Sequence, residues 1–267
     1  MTALPTIDLS RLKQEAAQLA ESFSEPPAYL RGLVRLLQNH AVPVHRQGQI
    51  AGMRPVLSSY AVPPPLLKQL HMELAEQAQK DPEAALAVAD GLWAVRSMET
   101  RQLAARLLGA IEAKPKLITD RLESWAFENR EPTLSPELTQ HGTANLCAHF
   151  PEELVTFAQS LLESKELRKQ SLALGALQNL LTNTDFANLP LLFDMLSPVC
   201  KAPDRKLRPD LADLLLALGY RSPQETEYFL QQCLETSPNT GIEWITRQVM
   251  MALPANGQAR LRALLKL

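Results

Sequence analysis

Apolar residues recur along this chain at the three-and-four spacing that places them on one face of an α-helix, and short Pro-rich or polar breaks separate the stretches. The region from Ala87 to Glu112 displays the unit most clearly. One helix ends near Trp93, the chain breaks around Val95 to Ser97, and Ser97 opens a second helix whose Leu103, Ala104, Leu107, Leu108 and Ile111 share a face. Similar units follow one another to the end of the sequence, about fifteen helical segments in all, and no segment reads as a convincing strand.

The punctuation agrees with the periodicity. Pro27, Pro43, Pro64, Pro82, Pro115, Pro136, Pro151, Pro203, Pro223 and Pro238 stand just inside or just before a predicted helix, where a missing N–H costs nothing. Pro55 and Pro190 fall within otherwise helical patterns and are expected to kink or split them. Asp8 or Ser10, Ser97, Thr133 or Ser135, Asp185, Ser222 and Thr240 are predicted N-caps, and Ser222 with Glu225 spells a capping box.

Two such helices with their turn occupy roughly 30 to 45 residues, the range of HEAT and armadillo repeats. The tetratricopeptide and ankyrin signatures are missing. The pattern therefore predicts an all-α protein, an α-solenoid of HEAT-like antiparallel pairs forming a single repeat domain over residues 1–267. Residues 1–58 would cap one end, 59–253 would form the repeats, and 254–267 would close the other; a non-repetitive helical bundle is the alternative.

Composition sharpens this. Across 267 residues, 46% are hydrophobic while aromatics reach only 5% and Gly numbers 10, so Leu and Ala dominate the apolar runs, as in helices packed on helices. Cys147, Cys200 and Cys233 are odd in number, far apart and without CxxC spacing, which signals neither a disulfide framework nor zinc and is expected of reduced thiols in a cytoplasmic protein. No leader-like or bilayer-length apolar run is present, so no membrane association is expected. The net charge of −2 lends no support to a duplex-binding surface unless basic residues are segregated to one side.

The short motifs that announce phosphate-binding loops, zincins, nucleophile elbows or EF-hands are absent. His40, His45, His71, His141 and His149 are not spaced to share a helix face, so neither a metal nor a cofactor is expected. The most suggestive polar cluster surrounds Trp125: Glu123, Glu128, Asn129, Arg130 and Glu131 lie at a helix end and in the loop after it. A carboxylate beside an aromatic ring is how a protein holds a cationic or electron-poor ring, although a half-buried Trp beside a solvated loop reads the same way. Basic residues gather at Lys165, Arg168 and Lys169, at Lys201, Arg205, Lys206 and Arg208, and at Arg260, Arg262 and Lys266, near helix termini where phosphate contacts are favoured. Glu163, Glu166, Asp204 and Asp210 dilute that field.

The runs Tyr60 to Leu74, Gly91 to Leu108, Ser124 with Trp125, Pro151 to Leu177 and Glu243 to Leu253 resemble, in order and spacing, the bacterial DNA alkylation repair glycosylases built of HEAT-like repeats. Trp93, Glu99 and Arg101 carry the best of the likeness. The resemblance implies a concave basic surface for DNA and an aromatic cleft in which an Asp and an Arg assist loss of an alkylated, cationic base. Residue by residue, the first cleft Trp is kept as Trp125, while the second falls on Ala126 and the catalytic Asp on Arg130. The Arg of the next repeat falls on Gln170, and the C-terminal Trp on Met251, with Arg247 kept nearby. A guanidinium opposes the oxocarbenium charge that a carboxylate stabilises. The chain is accordingly expected to be a non-catalytic scaffold related to these proteins, binding duplex DNA or a protein or peptide on its concave face. The alternative is an active glycosylase with Trp125 as stacking aromatic, Glu128 or Glu131 as acid, and Lys165, Arg168, Lys169, Arg205, Lys206, Arg208 and Arg247 as nucleic-acid contacts.

Overall fold

In the computed structural model, residues 9–42 and 57–266 are described. Among them are fourteen α-helices and no strand. The predicted N-cap Asp8 and the prolines Pro43 and Pro55 lie outside the described residues. The chain divides into two compact units, one ending at Asn145 and one beginning at Leu146.

The first unit holds α1 (Leu9–Ala20), α2 (Pro26–Asn39), α3 (Pro64–Lys80), α4 (Pro82–Ala94), α5 (Met98–Leu108) and α6 (Pro115–Glu128). After α6 come a 3-10 turn, Pro132–Leu134, and a π-helical turn, Glu137–Gly142. Packing follows a next-but-one rule: α1 lies against α3 and α3 against α5, while α2 lies against α4. The stripes that make these contacts are read directly from spacing. Helix α2 buries Tyr29, Leu33 and Leu37, and α3 buries Leu66, Leu70, Leu74 and Ala78. Each fully buried Leu contributes about 1.5–3 kcal/mol, so stripes of three or four carry most of what holds a short helix in place. Leu103, Ala104, Leu107, Leu108 and Ile111 are all fully buried, as their spacing predicts.

Helix α7 (Ala144–His149) carries the chain across the division. The second unit holds α8 (Pro151–Leu162), α9 (Leu167–Leu180), α10 (Leu189–Lys201), α11 (Arg208–Arg221), α12 (Pro223–Thr236), α13 (Thr240–Val249) and α14 (Ala255–Leu264). The same rule produces two layers. Helices α9, α11 and α13 form one; α8, α10, α12 and α14 form the other. Helix α11, in contact with α9, α12 and α13, needs a wider apolar face and buries Leu211, Ala212, Leu214, Leu215, Leu218 and Gly219.

Prolines stand in the first turn at the starts of α2, α3, α4, α6, α8 and α12, as expected. Of the predicted caps, that of Ser97 forms as expected. Ser222 stands at the start of α12 with its hydroxyl donating to Glu225 Oε2 and capping no amide, so no capping box forms there. The π-helical turn is preceded by Pro136, not by a Thr133 or Ser135 cap. Ser97 Oγ accepts from Thr100 N at 3.1 Å while Thr100 Oγ1 accepts from Ser97 N at 3.3 Å, a capping box with Thr in the usual Glu position. Other signals are displaced. Pro190 does not split a helix: it sits in the first turn of α10, where its ring fits, and Pro198 is the proline inside that helix. The N-cap of α10 is Asn188, not Asp185, and that of α13 is Asn239, not Thr240. Asn239 Oδ1 accepts from Gly241 N at 3.0 Å and Ile242 N at 2.9 Å. No helix among the described residues is long and apolar enough to cross a membrane.

Gly109 closes α5 where the π-helical turn passes so near that a Cβ would stand 1.7 Å from the His141 carbonyl oxygen. Both are backbone-anchored, so neither yields cheaply. Gly109→Ala is expected to destabilise the protein by about 1–3 kcal/mol or more, read as a lowered urea midpoint with unchanged slope.

Candidate functional site

The Trp125 cluster is built where three helices of the first unit end or begin. Trp93 lies in the last turn of α4, Arg101 in the first turns of α5, and Trp125 with Glu128 in the last turn of α6. The turn between α4 and α5 places Arg96 at φ 60°, a left-handed conformation that reverses the chain tightly enough for Arg101 to fold back on Trp93. The indoles of Trp93 and Trp125 stack with centroids 4.6 Å apart and planes inclined by 5°. Arg101 Cζ lies over the Trp93 ring, 4.3 Å from its centroid, and Arg101 Nε donates to the Trp93 carbonyl at 3.2 Å. Trp93 Nε1 in turn donates to Glu128 Oε2 at 3.1 Å.

This is an aromatic, cation and carboxylate assembly of the kind the sequence pointed to, with the cation supplied by the chain itself. Trp93 and Trp125 are each 4% exposed and Arg101 6%. Burial pulls the Arg101 guanidinium below its usual range while the Glu128 charge works the other way, so the carboxylate helps keep a desolvated cation charged. Beside it, buried Glu99 accepts from Ser59 Oγ at 2.7 Å and Ala61 N at 2.8 Å, pinning the segment that precedes α3. Glu131 lies beyond the stack. Its amide donates to Asn129 Oδ1 at 2.9 Å, its side chain accepts from Thr133 Oγ1 at 3.1 Å, and Arg130 is exposed.

The basic candidates all lie in the second unit. Ser171 near the start of α9 bonds Asp210 near the start of α11, and Arg221 at the end of α11 donates to the carbonyls of Leu181 and Asn183 just past α9, each at 2.9 Å. The two helices therefore run the same way. A Cβ on Gly241 would stand 2.9 Å from Arg208 Nε, and one on Gly219 would stand 2.9 Å from Ala252 Cβ, so α13 runs with them too. The starts of α9, α11 and α13 thus share one edge of their layer. Lys165, Arg168, Lys169, Arg205, Lys206 and Arg208 are brought to that edge, with Lys165, Arg205 and Lys206 exposed. Arg208 is tied back through Nε to the Pro203 carbonyl at 3.3 Å. Arg247 is not brought there: it lies in the last turn of α13, exposed, 3.6 Å from Glu243.

The family model described as DNA alkylation repair enzyme matches residues 33–245. The chain belongs to this family. The match begins within α2, further toward the N-terminus than the likeness seen in the sequence. No curated protein matches. Among solved structures, the crystal structure of an engineered protein from the Northeast Structural Genomics Consortium is 18% identical over 93% of this chain and 92% of its own, with a TM-score of 0.31, a likeness too weak to bear on fold or function.

At the positions that the family resemblance places in its cleft, this member shows other employment. Ala126 is buried. Gln170 Nε2 donates to the carbonyls of Leu162 at 3.0 Å and Ser164 at 2.8 Å, satisfying the end of α8. Met251 is 70% exposed. Sequence reasoning singled out Trp125 and Glu128 but not Trp93 and Arg101 as their partners. The available signal was the Trp93 and Arg101 pair astride one helix break, which folds the second onto the first.

Trp93→Phe keeps the stack and loses the indole N–H, and is expected to cost about 1 kcal/mol; Trp93→Ala is expected to cost about 3–5 kcal/mol, both by urea denaturation. Burial raises the Asp210 carboxyl above its ordinary value, more than the Ser171 hydrogen bond lowers it. Below that ordinary value, about 4, folded and unfolded chains both hold the proton; stability is then lost as pH rises through the raised folded value. Asp210→Asn retains an acceptor for Ser171, so its stability relative to the parent should climb across that window and show no gain below it.

Proposed function

We propose that this chain is a cytoplasmic, non-catalytic member of the DNA alkylation repair family that binds duplex DNA through the shared edge of α9, α11 and α13. The observation that carries the non-catalytic part is the Arg101, Trp93, Trp125 and Glu128 assembly. A ring that would stack on a cationic base is here covered by a second indole, and the nearest acid is engaged by an indole N–H. Arg130, where the resemblance expects a catalytic carboxylate, carries the charge that would oppose base departure.

Binding rests on the edge itself. Amides at helix starts without a side-chain cap already favour phosphate, and Lys165, Arg168, Lys169, Arg205, Lys206 and Arg208 gather at two such starts, those of α9 and α11. Arg247, at the other end of its helix, is assigned a separate contact. Acidic neighbours keep the affinity modest. The three cysteines, none of them in a disulfide, suit the compartment.

The competing proposal, a glycosylase using Trp125 with Glu128 or Glu131 as its acid, is favoured by family membership and by the exposed loop that holds Glu131. Incubating the protein with alkylated duplex should release no base above background. Turnover that disappears in Glu128→Gln or Glu131→Gln would overturn the non-catalytic proposal. Duplex affinity should fall steeply with salt, and Lys165→Ala with Lys206→Ala should flatten the slope by about 2. An affinity that is absent or indifferent to salt would replace DNA with a protein partner.

A further inference from the structure

Cys200 and Cys233 are 33 residues apart in sequence, yet α10 and α12 lie against each other and bring the two thiols together at their contact. Cys200 is fully buried, whereas Cys233 is 8% exposed and helps line an open groove of about 700 Å³ between the two helices. Phe193, Phe229 and Tyr228 form much of the groove wall, and Lys201 stands at it. The two thiols are not equivalent. Contact with Cys233 and burial push the Cys200 thiol up, while the same contact and the Lys201 charge draw the Cys233 thiol below its ordinary value against its own burial. One sulfur is thus reachable and favoured as thiolate, with a second held behind it.

We propose that Cys233 and Cys200 form a reversible thiol-oxidation site, in which a small peroxide entering the groove oxidises Cys233 and Cys200 then closes a disulfide. In the first step the Cys233 thiolate attacks one peroxide oxygen, the O–O bond breaks, and with one proton taken up the products are a sulfenic acid and water. In the second the Cys200 sulfur attacks the sulfenic sulfur, the S–O bond breaks, and hydroxide leaves as a second water with the Cys200 proton. Both thiols together lose two electrons and peroxide gains them. An external dithiol reverses the cross-link by exchange. The bond would tether α10 to α12 across the groove floor.

Cys147 supplies an internal comparison. It is buried in α7, away from the groove, with Asn179 Nδ2 3.4 Å from its sulfur. The full-length protein, shown folded by circular dichroism, is treated with equimolar hydrogen peroxide, denatured in an alkylating agent, and mapped by mass spectrometry. The expected result is a Cys200 to Cys233 cross-linked peptide, with loss of two hydrogens, disappearing on reduction and leaving Cys147 alkylated. Cys200→Ala should accumulate a dimedone-trappable sulfenic acid on Cys233, and Cys233→Ala should leave Cys200 unoxidised. The proposal is overturned if the parent protein forms no such cross-link, if Cys147 is consumed as fast as Cys233, or if Cys200 oxidises equally well without Cys233. Because the parent protein alone decides the first two outcomes, misfolding of either variant leaves the test intact.

Discussion

A guanidinium withdrawn from water has to be compensated on several sides at once, and the way Arg101 meets that requirement sets the geometry of the first unit. Its nitrogen is satisfied by a carbonyl at the end of α4, its flat face rests on Trp93, and the Glu128 charge from α6 offsets part of the desolvation. Three helices are therefore locked at one point. The stacking of Trp93 on Trp125 extends the lock to the body of α6, and Glu99, two residues before the arginine, ties in the approach to α3. Removing Glu128 would leave the buried Trp93 N–H without its acceptor and the buried Arg101 charge without its counter-charge, so the three helices depend on one another at this point.

Around that point the chain obeys a simpler economy. A helix with one apolar stripe cannot bury it alone, and most here use a neighbour, a next-but-one neighbour or both. This explains why Leu and Ala suffice with so few aromatics. Aromatic rings meet at three places: Phe23 with Tyr29 at the start of α2, the Trp93 and Trp125 stack, and Phe193 with Phe229 beside the cysteine groove.

Helical periodicity made the architecture legible, because burial in this fold is decided within each helix. The buried face of α5 follows from Leu103 to Ile111 alone, and Ser97 announces its start. Caps were legible less well. Asn239 outcompetes Thr240 because its longer side chain reaches two amides, and the ring of Pro190 is tolerated because the helix starts about one turn later than the apolar run implies, which places the proline in its first turn. The site was half legible. Trp125 and Glu128 stand out by type, but their use depends on Trp93 and Arg101, delivered by other helices, and no local spacing encodes a contact of that kind. The cysteine pair was illegible for the same reason: distance in sequence hid a contact made by two helices of one layer.

The common direction of α9, α11 and α13 has an electrical consequence. Each carries a macrodipole equivalent to roughly half a positive charge at its start, and three parallel helices add where antiparallel ones would cancel. The layer's beginning is thereby made positive by backbone alone, before any lysine is counted, on a molecule whose formal charge is −2. A polyanion drifting past would experience torque as well as attraction, turning the protein to present that rim first.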